Sequence, residues 1–151
     1  MIATALAVHL LAASVWVGGM FFAWVVLRPA AQQLEPPQRL RLWGESFRRF
    51  FPWVWAIVIL LPVTGLWLIV RKFGGMGGSP LYVHVMLALG IAMIALFMHV
   101  WFAPYRRLRA AVSGEDWQAG AAALGSIRRL IGINLTLGLA TLAIVGLGAG
   151  I

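Results

Sequence analysis

Long apolar runs separated by short polar segments cover the whole chain. Four of them, Ile2 to Leu27, Phe51 to Val70, Leu81 to Ala103 and Leu130 to Ile151, approach or exceed the about 20 mostly apolar residues that a membrane-crossing helix requires. This pattern predicts an all-α fold, an integral membrane four-helix bundle forming one transmembrane domain over residues 1–151. Before the second run, Leu40, Trp43, Phe47, Phe50 and Phe51 recur at helical spacing opposite Arg39, Arg41, Arg48 and Arg49. That spacing predicts a short amphipathic helix over about 38–50, lying in the headgroup layer as an anchor. Pro62 near Gly65 predicts a kink in the second span, because proline cannot donate a helix hydrogen bond. The glycine-rich stretch between Phe73 and Pro80 reads as a turn. The Ser113 to Asp116 cluster breaks one helix and caps the next, so the third and fourth spans are expected to extend beyond the membrane as a helical hairpin.

Composition narrows the class. Of the 151 residues, 62% are hydrophobic and 11% charged, where a soluble domain carries about 25% charge. The first run has no basic segment ahead of it and is longer than a signal-peptide core, so it is expected to be retained as the first helix. With the termini close to the outer spans, no attached soluble domain is expected. The formal charge of +8 falls unevenly. Arg28, Arg39, Arg41, Arg48 and Arg49 lie between the first and second spans, Arg106, Arg107, Arg109, Arg128 and Arg129 between the third and fourth, and only Arg71 and Lys72 lie between the second and third. Positive loops stay in the cytoplasm, which places both termini on the outer, periplasmic side of a bacterial inner (plasma) membrane. The basic charge is a topology signal, and nucleic-acid binding is excluded for want of a soluble basic face. The chain has no cysteine, which rules out disulfides and thiolate metal sites.

The candidate chemistry rests on three histidines inside the apolar runs. His9 and His84 fall roughly 5 to 12 Å inside the starts of the first and third spans, which run in the same direction. A paired imidazole site at that depth is the expectation, because an unpartnered imidazole in a bilayer is costly. The stripe carrying His9 includes Ala5, Ala12, Ala13, Trp16 and Met20, and the stripe carrying His84 includes Ala88, Ile91 and Ala95. Small residues beside both rings would leave room for haem b with two axial imidazoles, with Arg71 and Lys72 the nearest basic groups for its propionates. The same histidines could instead bind copper, with methionine thioethers as further ligands. A third reading leaves each histidine hydrogen-bonded to a neighbouring helix without any cofactor. His99, about 22 Å along the helix from His84, belongs to the far end and is a lesser ligand candidate. Asn134 is expected to bond to a neighbouring helix, and the absence of any carboxylate within the runs argues against a proton-coupled transporter.

Two family resemblances follow from these residues. The run His9-Leu-Leu-Ala-Ala-Ser-Val-Trp16-Val-Gly18-Gly19-Met, closing with Leu27-Arg28-Pro29, resembles the first helix of the CopD copper-resistance membrane family. The third-span segment Leu81-Tyr-Val-His84-Val-Met86-Leu, with His99 and Arg106-Arg107 beyond it, resembles the HemJ-type protoporphyrinogen oxidases, small four-helix proteins with haem b. The first resemblance implies copper uptake or resistance. The second implies haem held by a first-helix histidine, matching His9, and a third-helix lysine, whose place falls at Met86. Where those oxidases carry Asn-Glu in the last helix, this chain has Asn134-Leu135. Ligation by His9 with His84, or His9 with Met86, is what remains. The expectation is therefore a haem b electron-transfer or haem-linked oxidoreductase protein, with copper handling as the alternative. A quinone or a redox protein would be its partner, and the glycine-rich last span a homodimer contact.

Overall fold

The computed structural model describes residues 1–150, so the final residue of the expected fourth span, Ile151, lies outside the described residues. Within them every regular element is helical. Helix α1 (Ile2–Phe21) runs through a π-helical segment (Phe22–Leu27) into α2 (Arg28–Ala31), followed by α3 (Pro36–Phe73), a 3-10 turn (Met76–Gly78), α4 (Leu81–Phe102), α5 (Pro104–Ser113) and α6 (Trp117–Ala149). Four continuous helical stretches, Ile2–Ala31, Pro36–Phe73, Leu81–Ser113 and Trp117–Ala149, are long and apolar enough to cross a membrane, so lipid contact is part of the fold. Helix α1 packs on α3 and α6, α4 packs on α6, and α5 folds back along α6 as the expected hairpin.

The amphipathic segment at 38–50 is not a separate helix. It forms the first turns of α3, which continues unbroken through Pro52 and Pro62. At 38 residues, α3 is about 57 Å long, against a hydrocarbon core of about 30 Å, so its first turns project beyond the membrane. Their apolar face, Leu40, Trp43 and Phe47, is buried. Leu40 meets α6 beside Gly120, and Phe47 lies edge-on to Tyr105 of α5 with ring centroids 6.1 Å apart. The projecting hairpin supplies a protein surface for that face, which removes the need to lie flat on lipid. On the opposite side Glu45 accepts hydrogen bonds from Arg48 and Arg49.

An aromatic core joins this projecting layer to the spans. Phe51 stacks on Phe47 at 4.9 Å and meets Tyr105 and Phe97 edge-on at 4.8 and 5.5 Å. Trp55 sits edge-on to Trp101 at 5.6 Å. These edge-to-face pairs add to dispersion where α3 and α4 meet, which matters because lipid offers helices no hydrophobic drive to associate.

The π-helical segment has an identifiable cause. Pro29 has no N–H to donate, and its ring displaces the carbonyl one turn earlier. The ladder shifts register, and the Arg28 N–H reaches the Ala23 carbonyl five residues back. Such a widened turn changes which side chains α1 presents to the bundle, and π-turns recur at functional sites.

Candidate functional site

Helix α1 presents the expected stripe inward: Ala12, Trp16 and Met20 are buried, and His9 on the same stripe is half-buried. Its partner is on α3. His9 Nδ1 lies 2.8 Å from Thr64 Oγ1. Thr64 Oγ1 also lies 2.7 Å from the Leu60 carbonyl oxygen and 3.3 Å from Leu61 O, so its single proton has a carbonyl within reach as well as the ring. With that proton on Leu60 O, the threonine oxygen accepts from Nδ1–H. In that tautomer the Nε2 lone pair is free, the arrangement in which metal-binding imidazoles are held by a hydrogen bond from their other nitrogen.

Gly65 shapes the same spot. A Cβ there would lie 3.1 Å from His9 Cε1 and 3.7 Å from Nδ1, so the missing side chain lets that edge of the imidazole approach α3. Thr64 and Gly65 follow Pro62, and Thr64 was legible only as one of the sparse polar residues of the spans.

His84 is placed differently from its expectation. The buried face of α4 is formed by Val83, Met93, Phe97 and Val100, and His84 lies about 180° from Met93 around the helix. His84 is exposed, as are Ala88, Ile91 and Ala95 of its stripe. The stripe expected to face a cofactor faces outward. His99 is also exposed and Met86 is half-buried. The paired-imidazole reading with haem b is thus not supported: a haem needs both rings turned into one cleft, and the ring of His9 is turned to Thr64. The basic groups assigned to its propionates, Arg71 and Lys72, are exposed at the end of α3, where Arg71 sits over the Trp67 ring at 5.7 Å and Lys72 over the Phe73 ring at 5.5 Å. Among the described residues no three His, Cys, Asp or Glu side chains gather in a metal-binding group.

Soft donors nevertheless line the bundle interior beyond His9. Gly138 of α6 brings α1 and α4 together. A Cβ there would lie 2.9 Å from Val17 Cγ2 and 3.2 Å from Met93 Cε. Val17 is about 12 Å along α1 from His9 and Met20 about 16 Å. His9, Met93 and Met20 thus succeed one another in depth, and both methionines are buried.

Met20 opens onto a cavity of about 280 Å³ at the π-helical end of the bundle. Its walls are apolar and aromatic apart from the Ser46 hydroxyl, the Asn134 amide and the indoles of Trp16 and Trp43. Asn134 Nδ2 donates to the Met93 carbonyl at 3.2 Å, the interhelical bond expected of it.

The family model described as CopD, copper resistance protein D, matches residues 44–147, from the first turns of α3 almost to the end of α6. The matched region contains Thr64, Gly65, Met93 and Asn134 and leaves out α1 with His9. No curated protein and no solved structure matches the chain, and nothing in these comparisons carries the resemblance to the HemJ-type oxidases. With a family match over more than half its length and four helices able to cross a membrane, the chain belongs to the copper resistance protein D family and is a multi-pass inner-membrane protein.

Proposed function

We propose that this protein handles copper within the membrane, taking the ion as cargo at His9 and passing it along the inner face of α1. The carrying observation is the His9–Thr64 hydrogen bond at 2.8 Å, which leaves Nε2 as an oriented donor in a chain of the copper resistance protein D family. The donor chemistry selects the reduced ion. Copper(I) accepts low coordination by imidazole and thioether, and those are the donors available along the row His9, Met93 and Met20. No thiolate and no buried carboxylate competes for a harder ion.

The distribution of arginines supports an orientation with both termini outside, so that His9 lies near the outer mouth and Met20 towards the cytoplasm. Each step along the row exchanges one soft ligand for another, which keeps any single site weak enough to release its ion. His84 and His99, exposed on α4, serve as internal controls.

Copper accumulation in cells expressing the full chain tests the proposal. His9→Ala is expected to abolish the accumulation, and Met93→Leu and Met20→Leu to reduce it. His84→Ala and His99→Ala are expected to leave it intact. Equal accumulation in His9→Ala and the parent protein would refute the reading.

A further inference from the structure

Of the ten arginines in the two basic loops, seven are exposed and three, Arg28, Arg39 and Arg128, are half-buried. These three belong to α2, α3 and α6, yet they converge. Arg39 and Arg128 line one hollow of about 380 Å³, together with Gln32 and the apolar side chains of Leu40, Ala121 and Leu124. Arg28 and Arg39 both lie near enough to Arg128 for their charges to repel its own. Trp24 holds Arg28 beside α6. The guanidinium sits 4.3 Å from the Trp24 ring centroid, and that ring packs on Gly132, one turn along α6 from Arg128, where a Cβ would fall 2.8 Å from it.

No acid compensates the cluster. The chain has four carboxylate side chains. Glu45 pairs with Arg48 and Arg49, Glu115 pairs with Arg41, and Asp116 accepts from the Ala119 N–H as the cap of α6. The fourth, Glu35, is exposed and forms no ion pair among the described residues. Three like charges partly withdrawn from water and left unpaired weaken the fold that gathers them, whereas an anion set between them turns the repulsion into attraction.

The donors and their depth identify the anion. Guanidinium groups present planar forks of N–H donors that match phosphate oxygens two at a time, and the Gln32 amide adds a neutral donor. Arg28 directly follows the first apolar run, and Arg128 precedes the fourth by two residues. That is the level of the phospholipid headgroups, where basic pockets between helices meet lipid phosphates and where tryptophans such as Trp24 concentrate.

We infer that Arg28, Arg39 and Arg128, with Gln32, bind a phosphate group, and that it belongs to an anionic phospholipid of the leaflet this end of the bundle faces. The bound phosphate ties the turn between α2 and α3 to α6. A free phosphate ion shares the chemistry but needs no membrane, which lets experiment separate the two sources.

Native mass spectrometry of the purified full chain in detergent, titrated with dioleoyl phosphatidylglycerol or dioleoyl phosphatidylcholine, is the test. One phosphatidylglycerol per chain is expected to be retained, about tenfold more tightly than phosphatidylcholine, whose headgroup carries its own cation. Arg39→Gln and Arg128→Gln should each weaken phosphatidylglycerol about tenfold. Arg128→Lys, which keeps the charge and loses the fork, should weaken it less. Arg107→Gln removes an exposed charge from the other basic loop and should leave the affinity within about twofold. Thermal melts in lipid-free detergent establish that each variant is folded, and Arg128→Lys keeps the test decisive if a glutamine variant is not. Phosphatidylglycerol should raise the thermal midpoint of the parent protein, and inorganic phosphate at the same concentration should not. Equal retention of the two lipids, unchanged affinity in both glutamine variants, or an equal loss in Arg107→Gln would overturn the inference. Stabilisation by inorganic phosphate equal to that by phosphatidylglycerol would overturn the assignment to lipid.

Discussion

His9 on α1 and Thr64 on α3 are joined across the bundle: imidazole Nδ1 lies 2.8 Å from the threonine oxygen, which itself lies 2.7 Å from Leu60 O. The contact orients the ring, and with Nδ1–H donating to threonine and the hydroxyl to Leu60 O, Nε2 is the free nitrogen. The functional reading depends on this ordering of donors.

Thr64→Val keeps the shape of the residue and removes the acceptor. Interhelical hydrogen bonds inside membranes contribute about 0.6 kcal/mol on average and at most about 1.7, so the protein should remain folded. Losing a group that orients a metal-binding histidine typically costs about 10 to 100-fold in metal affinity. The expected result is copper(I) binding weakened by that factor with a small change in thermal midpoint, measured by competition with a copper(I) chelator. Threonine-to-serine substitution should restore binding.

Gly65→Ala places a methyl group 3.1 Å from His9 Cε1, closer than comfortable carbon contact, so the ring must move by a few tenths of an ångström. Overpacking of this kind costs about 1–3 kcal/mol. A lower thermal midpoint and weaker copper binding are expected together, whereas Gly18→Ala, where nothing lies within 4 Å, should change neither.

Glu45, on the projecting turns of α3, has its carboxyl held down to about 2 by hydrogen bonds from Arg48 and Arg49. A depressed carboxyl contributes stability above its unfolded value, and that contribution is lost as pH falls through the folded value. The window therefore lies between roughly pH 4.5 and pH 2. Because these ion pairs are open to solvent, their effect is small. Carbon-detected NMR titration should give a midpoint near 2, and Arg48→Gln with Arg49→Gln should return it to the ordinary glutamate range.

The spans were legible because apolar runs of the required length leave few alternatives, and the inward face of α1 because Trp16 and Met20 share the stripe of His9. Helix α4 was not legible in the same way. From Val83 to Val100 it is apolar on nearly every side, so a stripe of Ala88, Ile91 and Ala95 carries no sign of which face turns inward. The inner face is set by Phe97 meeting Phe51 and Trp55, a contact between distant segments that no local pattern encodes, and it sends His84 outward. The segment at 38–50 was correctly amphipathic, but its apolar face found Tyr105 and Gly120 where lipid was expected. Thr64 carried no motif, and its significance arises only from the register of α1 against α3.

X-ray absorption spectroscopy of the copper(I)-loaded protein measures the ligands of the ion itself. The account predicts imidazole nitrogen scattering together with sulfur scattering, the nitrogen contribution vanishing in His9→Ala and persisting in His84→Ala. Unchanged nitrogen scattering in His9→Ala, or its loss in His84→Ala alone, would contradict the assignment of His9 as the copper-binding imidazole.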